Sequence, residues 1–262
     1  MGPTRSAPEC PDPETIRSII QESALRLQVR LDLVDVLMGW RPVARVLLQR
    51  GGAAELVARL SVAHNLEPVV DPSLVRQHRP NPGSPYVDRF DRLGPSDDFD
   101  VLVALFIARS RESAQGALEA DHSADDVRLG LALGYPPCCV HFVERGGGVP
   151  TLAESLTLYG EGGFDPLIWP AASLNDAGLL PHFPCSLHCE PSRALATRRL
   201  EVLTRYGRQQ DLDRMTRSAG AAYSVDEQGT VRMHLPSLGE SPPPGSLRPR
   251  IELPRVAANR DA

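Results

Sequence analysis

Apolar residues recur at steps of three and four through Ile16, Ile19, Ile20, Leu27, Leu31 and Val34. That period predicts one amphipathic helix from Pro13 to about Gly39-Trp40. Pro42 permits a new short helix through Gln49, which Gly51-Gly52 would end. Residues 53–63 read as another helix and Leu66 to Val70 as a short strand. From Asp71 to Asp98 the chain carries five prolines and two glycines with little periodicity, which predicts a long loop of the kind that forms lids. Tyr86, Arg89 and Arg92 could meet an anionic ligand from that loop.

The pattern then changes. Val101 to Ile107 is a continuous apolar run within Phe99 to Ala108, as expected for a strand buried on both faces. Helices are expected over 110–120 and 125–133, and Gly134 stops the second. Cys139 to Glu144 fits a helical turn, Leu152 to Leu158 a short helix, and 160–180 is irregular. Ser192 is a good N-cap for a helix from Arg193 to about Tyr206, and Asp211 to Ser218 is also helical in pattern. Residues 221–225 and 230–235, joined by Asp226-Glu227-Gln228-Gly229, read as a β-hairpin.

Together these elements predict a helix-rich α/β protein. Its small parallel or mixed sheet is covered by helices, and a β-hairpin lies near the C-terminus. The division expected is a disordered tail over 1–12, a helical part with the Pro-rich loop over 13–98, a Cys/His-loop domain over 99–236, and a Pro/Arg-rich disordered tail over 237–262. The first two folded parts are expected to pack as one unit.

Composition narrows the function classes. The 262 residues carry a net charge of −5, so no global basic signal points to nucleic acid. No run reaches the roughly 18 apolar residues of a membrane span. The N-terminus has no apolar signal region, and a cytoplasmic location is the expectation. All 28 basic residues are arginine. Without lysine the chain can form no lysine Schiff base and no Walker A loop.

Four of the five cysteines fall in two tight groups, Cys138-Cys139 and Cys185/Cys189, with His141, His182 and His188 beside them. Cys10 is isolated in the N-terminal tail. Thiolates and imidazoles are the softer protein ligands and suit zinc, iron and iron–sulfur clusters. Side chains of adjacent residues usually diverge, so Cys138 and Cys139 reach one small ion only in a special turn. That favours an iron–sulfur cluster held by Cys138, Cys139, Cys185 and Cys189, with His182 a candidate further ligand, or three cysteines with an open coordination position, over mononuclear zinc; zinc or mononuclear iron is the alternative cofactor. His182, Tyr135 and Asn175 are the candidate catalytic residues, acting on a small-molecule substrate. Glu144, Asp165, Asp176 and Glu190 are candidates for proton transfer or for support of the ligands. A zinc-stapled binding module, with the arginines of the 193–206 helix as its surface, and a metal-free thiol oxidoreductase are the rival readings. Inert core cysteines are the plain alternative.

Leu133-Gly134-Tyr135-Pro136-Pro137-Cys138-Cys139-Val140 with Phe142, followed by Leu174-Asn175 and by His182-Phe183-Pro184-Cys185-Ser186 with Cys189 and Ser192, resembles a prokaryotic domain family of unknown function. Its hallmarks are L-G-Y-P-x-C-C-V-x-x-F and a distal H-x-P-C-S-x-x-C-x-x-S. The likeness spans roughly Phe99 to Leu235. His141 stands where the family often has an acidic residue. The resemblance implies a working site at the two loops and brings no activity with it.

Overall fold

The computed structural model describes residues 11–49, 51–77, 90–93, 102–146, 148, 167–168, 178–219, 222–225, 231–234 and 251–252. Asp12 caps the first helix, α1 (Pro13–Ile20), by accepting from the Thr15 amide, and Pro13 sits in its first turn. The single helix expected to reach Gly39-Trp40 is broken. α1 ends at Gln21, Leu25 is buried in the connection, and α2 (Leu27–Leu37) begins anew. The periodicity carries across the break because both helices bury their apolar positions in the same core.

The expected helix from Pro42 is instead strand β1 (Val43–Gln49). Ala44, Val46 and Leu48 point into one core and Val43 into another, so the period is two. After α3 (Gly52–Ala63), strand β2 (Glu67–Gln77) runs into the expected long loop, and β3 (Phe90–Leu93) pairs with its far end. Pro72 is accommodated where the ladder shifts register between Val70 and Leu74. Pro68 is tolerated because β3 pairs only with Leu74 to Gln77, so that among the described residues no strand pairs with β2 beside Pro68 on that side. Tyr86 and Arg89 lie outside the described residues.

Strand β4 (Leu102–Ala108) is the apolar run anticipated from its sequence. The sheet order is β1-β4-β2-β3, and every ladder in it is antiparallel. The expected parallel or mixed arrangement is therefore corrected for this sheet. Alternation of strands and helices does not separate the two, because β1 and β2 both return against the same central strand. One face, with Val103, Leu105 and Ile107 of β4, packs on residues of α1, α2 and α3. The other face, with Ala104 and Phe106, packs on α4 (Arg111–His122) and α5 (Asp126–Ala132).

α6 (Pro137–Arg145) follows α5, and α7 (Glu190–Tyr206) and α8 (Gln209–Ala219) come later. α7 begins three residues before the expected Arg193, with Cys189 rather than Ser192 at the N-cap. Pro191 fits in that first turn, where its missing N–H has no partner to lose. Leu195, Ala196, Val202 and Leu203 of α7 complete the core shared with α1 and α2.

β5 (Ala222–Val225) pairs antiparallel with β6 (Val231–His234) and parallel with β7 (Ile251–Glu252) in a second sheet. The turn of the expected hairpin, at 226–230, lies outside the described residues. So do the expected 152–158 helix, Cys10 and most of the two expected tails. No helix among the described residues is long and apolar enough to cross a membrane.

Candidate metal centre

The first cysteine group is placed by a tight turn. Leu133 ends α5, and Gly134 takes φ +75° while the Tyr135 amide donates to the Gly130 carbonyl. A Cβ on Gly134 would lie 2.5 Å from Pro42 Cδ, so both its conformation and its space require glycine. Pro136 then caps α6 and Pro137 occupies its first turn. Cys138 and Cys139 follow at once, on the first turn of α6. The amides of Cys139 and Val140 both donate to the Pro136 carbonyl.

The second group lies on the loop that leads into α7. The Cys189 amide donates to the Ser186 carbonyl, and the Cys189 carbonyl accepts from the Arg193 amide as α7 starts. Two helix N-termini therefore meet at the cysteines. Their exposed N–H groups favour negative charge there.

The sulfurs converge. The Sγ atoms of Cys138, Cys139, Cys185 and Cys189 all lie within 4.8 Å of one another. Cys138 to Cys139 is 3.9 Å, Cys138 to Cys189 is 3.7 Å and Cys139 to Cys189 is 3.5 Å. The Cys185 amide also donates to Cys139 Sγ at 3.3 Å. None of the four is in a disulfide. Cys138 is exposed, Cys185 is half-buried, and Cys139 and Cys189 are buried.

Crowding sets their protonation. Burial pushes the Cys139 thiol up strongly, and neighbouring Cys189 adds to it against the pull of Ser192 and the Cys185 amide. Burial and the Cys189 and Cys138 sulfurs push Cys185 up to about 11. Burial opposes the Cys189 thiolate too, but donors from Ser192, Cys139 and Cys138 outweigh it and hold its pKa below the usual thiol value. Like groups this close oppose one another's charge when nothing positive lies among them. A cation among them reverses that logic and lets all four ionise. The donor set therefore fits a bound metal ion.

Behind the sulfurs sits Ser192, fully buried on the first turn of α7. Its hydroxyl donates to Cys189 Sγ at 3.2 Å and lies 3.4 Å from Cys139 Sγ. His182 Nε2 is 2.8 Å from the same oxygen. Burial, with Arg41 and Arg199 nearby, lowers the His182 pKa to about 3, so the ring is neutral. Its other nitrogen, Nδ1, is buried with no hydrogen-bond partner. The Tyr135 ring packs against the His182 ring at a centroid distance of 5.2 Å.

A buried charge network frames both loops, and the sequence reading missed it. Arg41 donates to the Leu133 carbonyl and to Asp32, and its guanidinium lies over the Tyr135 ring. Arg199 donates to Asp32, Asp35 and the Leu179 carbonyl. Burial opposes the Arg199 charge, but Asp35 and Asp32 outweigh it and keep the guanidinium protonated. The network thus holds the residue just before each cysteine loop. The available signal was Asp32 and Asp35, three apart in a stretch, Leu31 to Leu37, that is otherwise apolar.

The structure brings Cys138, Cys139, Cys185 and Cys189 together, and places His182 and Tyr135 behind them. His182 contacts the sulfurs through Ser192. Ser192, which the sequence offers only as a helix cap, is the residue that links them. His141 pairs with Glu144 on the exposed face of α6, and Glu190 is exposed at the start of α7. Asn175, Asp165 and Asp176 lie outside the described residues. No protein-family model, curated protein or solved structure matches the chain.

Proposed function

We propose that this is a metalloprotein in which Cys138, Cys139, Cys185 and Cys189 hold a single ion, zinc by the softness of the donors, and that the ion joins the α5–α6 turn to the loop before α7. The sulfur separations carry the reading. Metal–sulfur bonds of about 2.3 Å at tetrahedral angles place sulfurs about 3.8 Å apart. The observed 3.5, 3.7 and 3.9 Å lie around that value. A four-iron cubane binds each cysteine on a different iron and a two-iron cluster binds two on each, so both hold sulfurs of different irons wider apart than the 4.8 Å that spans all four here, and a mononuclear zinc or iron is the better supported cofactor. Adjacent cysteines serve one ion here because the first turn of a helix lets Cys138 and Cys139 lean the same way.

The motif pair that resembles the prokaryotic domain family supplies all four sulfurs together with His182 and Ser192. We therefore propose this centre for that family as well. Free thiols in such a site suit a reducing compartment, in keeping with a cytoplasmic location.

Four thiolates fill a tetrahedral ion, which favours a structural role. One observation keeps a catalytic reading in play. Cys138 is exposed while Cys139 and Cys189 are buried. An ion held by the other three would present its remaining position to solvent at Cys138, where a small-molecule substrate could be polarised.

The test is metal content and absorption of protein purified without air. One zinc, or one iron, per chain supports the single-ion centre. About four irons per chain would restore the cluster, and no metal would sink both.

A further inference from the structure

Resting on the single-ion reading, we infer that Ser192, oriented by His182, is a positioning residue that directs a hydroxyl proton onto the ligand sulfurs and thereby tunes the ion they hold. The argument is a count of protons. Ser192 Oγ has one, and three groups crowd it: Cys189 Sγ at 3.2 Å, Cys139 Sγ at 3.4 Å and His182 Nε2 at 2.8 Å. When both cysteines are metal-bound thiolates, neither has a proton to give. Each sulfur can then only accept, and the hydroxyl proton goes to sulfur once Nε2 carries a proton of its own.

The contact with His182 then runs the other way, from Nε2–H to the serine oxygen. That assigns the tautomer, and it accounts for Nδ1. A neutral imidazole protonated on Nε2 leaves Nδ1 as a bare acceptor, and Nδ1 is the buried atom with no partner. Leaving an acceptor bare is the tolerable choice, because the other tautomer would bury an N–H with no acceptor and set Nε2 against the thiolate sulfurs for the single serine proton. The Tyr135 ring, tilted against the imidazole, keeps that orientation.

The chain N–H to O–H to S therefore runs in one direction. Each member polarises the next, so His182 strengthens the donation at sulfur without touching it. A hydrogen bond to a ligand sulfur withdraws charge from it, which shifts the energy of sulfur-to-metal charge transfer and the hold on the ion. The Cys185 amide also donates to Cys139 Sγ. The two buried sulfurs are thus the supported ones. No such donor is seen on the exposed Cys138 among the described residues.

The experiment is a cobalt(II) titration of the full chain, reduced and metal-free, comparing wild type with Ser192→Ala, Ser192→Thr, His182→Leu and His182→Gln. Far-ultraviolet circular dichroism confirms that each is folded. Ser192→Ala and His182→Leu are expected to move the sulfur-to-cobalt band to lower energy and to weaken binding about 10–100-fold. Threonine keeps the hydroxyl and glutamine keeps an N–H near the Nε2 position, so either should restore the band. Unchanged band and affinity in folded Ser192→Ala, with wild type binding one cobalt through four thiolates, would overturn this inference and leave the centre standing. Wild type that binds no cobalt would overturn both. A weakened affinity with an unmoved band would also overturn it, since packing alone can change the one and not the other.

Discussion

Arg199 of α7 holds Asp35 of α2 from 164 residues away, its Nε 3.0 and 3.1 Å from the two carboxylate oxygens. Both side chains are fully buried. The pair is shared with Asp32 and Arg41, and through Arg41 and Arg199 it anchors the Leu133 and Leu179 carbonyls. The charges sit where a hydrocarbon core would be more economical. Their geometric product is the fixed spacing of the two loops.

Removing one partner of that network leaves uncompensated charge in the core. Arg199→Met is expected to cost about 3–5 kcal/mol of unfolding free energy. It should also lower metal affinity, because the second loop loses its tether at Leu179. Urea unfolding of the metal-free protein reads the first effect and a competition titration the second. A loss under about 1 kcal/mol would mean that the network is not tight in solution.

Gly134→Ala tests the turn before Cys138. The added methyl meets Pro42 Cδ at 2.5 Å in a backbone with φ +75°. The expected loss is about 1–3 kcal/mol from the backbone conformation alone, with the clash in addition. Equal thermal stability of variant and wild type would show that the turn can relax elsewhere.

His182 gives stability a pH dependence that is separate from that of the carboxylates. Its folded pKa of about 3 lies below the unfolded 6.5, so its contribution is complete above pH 6.5 and is lost as pH falls toward 3. Between pH 6 and 5 the slope approaches about 1.4 kcal/mol per pH unit. Asp211 acts in a different window. Burial opposes its charge, but Arg208 and Arg30 outweigh it and hold the carboxyl below 3.8, so its contribution is lost only below that pH. Denaturant melts of metal-free wild type and His182→Gln from pH 7 to 5 should differ by the histidine slope. Parallel curves would place a proton, and so a charge, on the buried ring.

The four cysteines are not equivalent. Cys139→Ser and Cys189→Ser remove buried ligands that Ser192 also supports, and they should abolish tight binding. Cys138→Ser removes the exposed one. It is expected to cost about 3 kcal/mol, a quarter of the ~10–16 kcal/mol of a structural zinc site. Chelator should lower the melting temperature of wild type in proportion to its affinity. If Cys138→Ser proved the most damaging of the three, the ranking by burial would be wrong.

Much of the site was legible because its signal is local. Cysteine and histidine are rare, and two groups of them mark the loops whatever the fold. Strand β4 was legible for the same reason, as an apolar run too continuous for an amphipathic helix. The rest depended on distant partners. Val43 to Gln49 becomes a strand because Leu102 to Ala108 is there to pair with it. Arg199 looks like one of several surface arginines until Asp32 and Asp35 meet it across the core. Ser192 reads as a helix cap, and the second sulfur at its hydroxyl, that of Cys139, arrives only with α6.

The uneven burial of the sulfurs would separate how tightly a bound ion is held from how fast it comes and goes. Cys139 and Cys189 would hold such an ion from inside, while Cys138 stands at the surface. An incoming thiol or chelator can displace that one ligand first, without opening the core. Exchange at such a centre follows the lifetime of a single outer bond rather than the unfolding rate of the protein. A scaffold of high stability can therefore carry an ion that partner molecules reach in ordinary time.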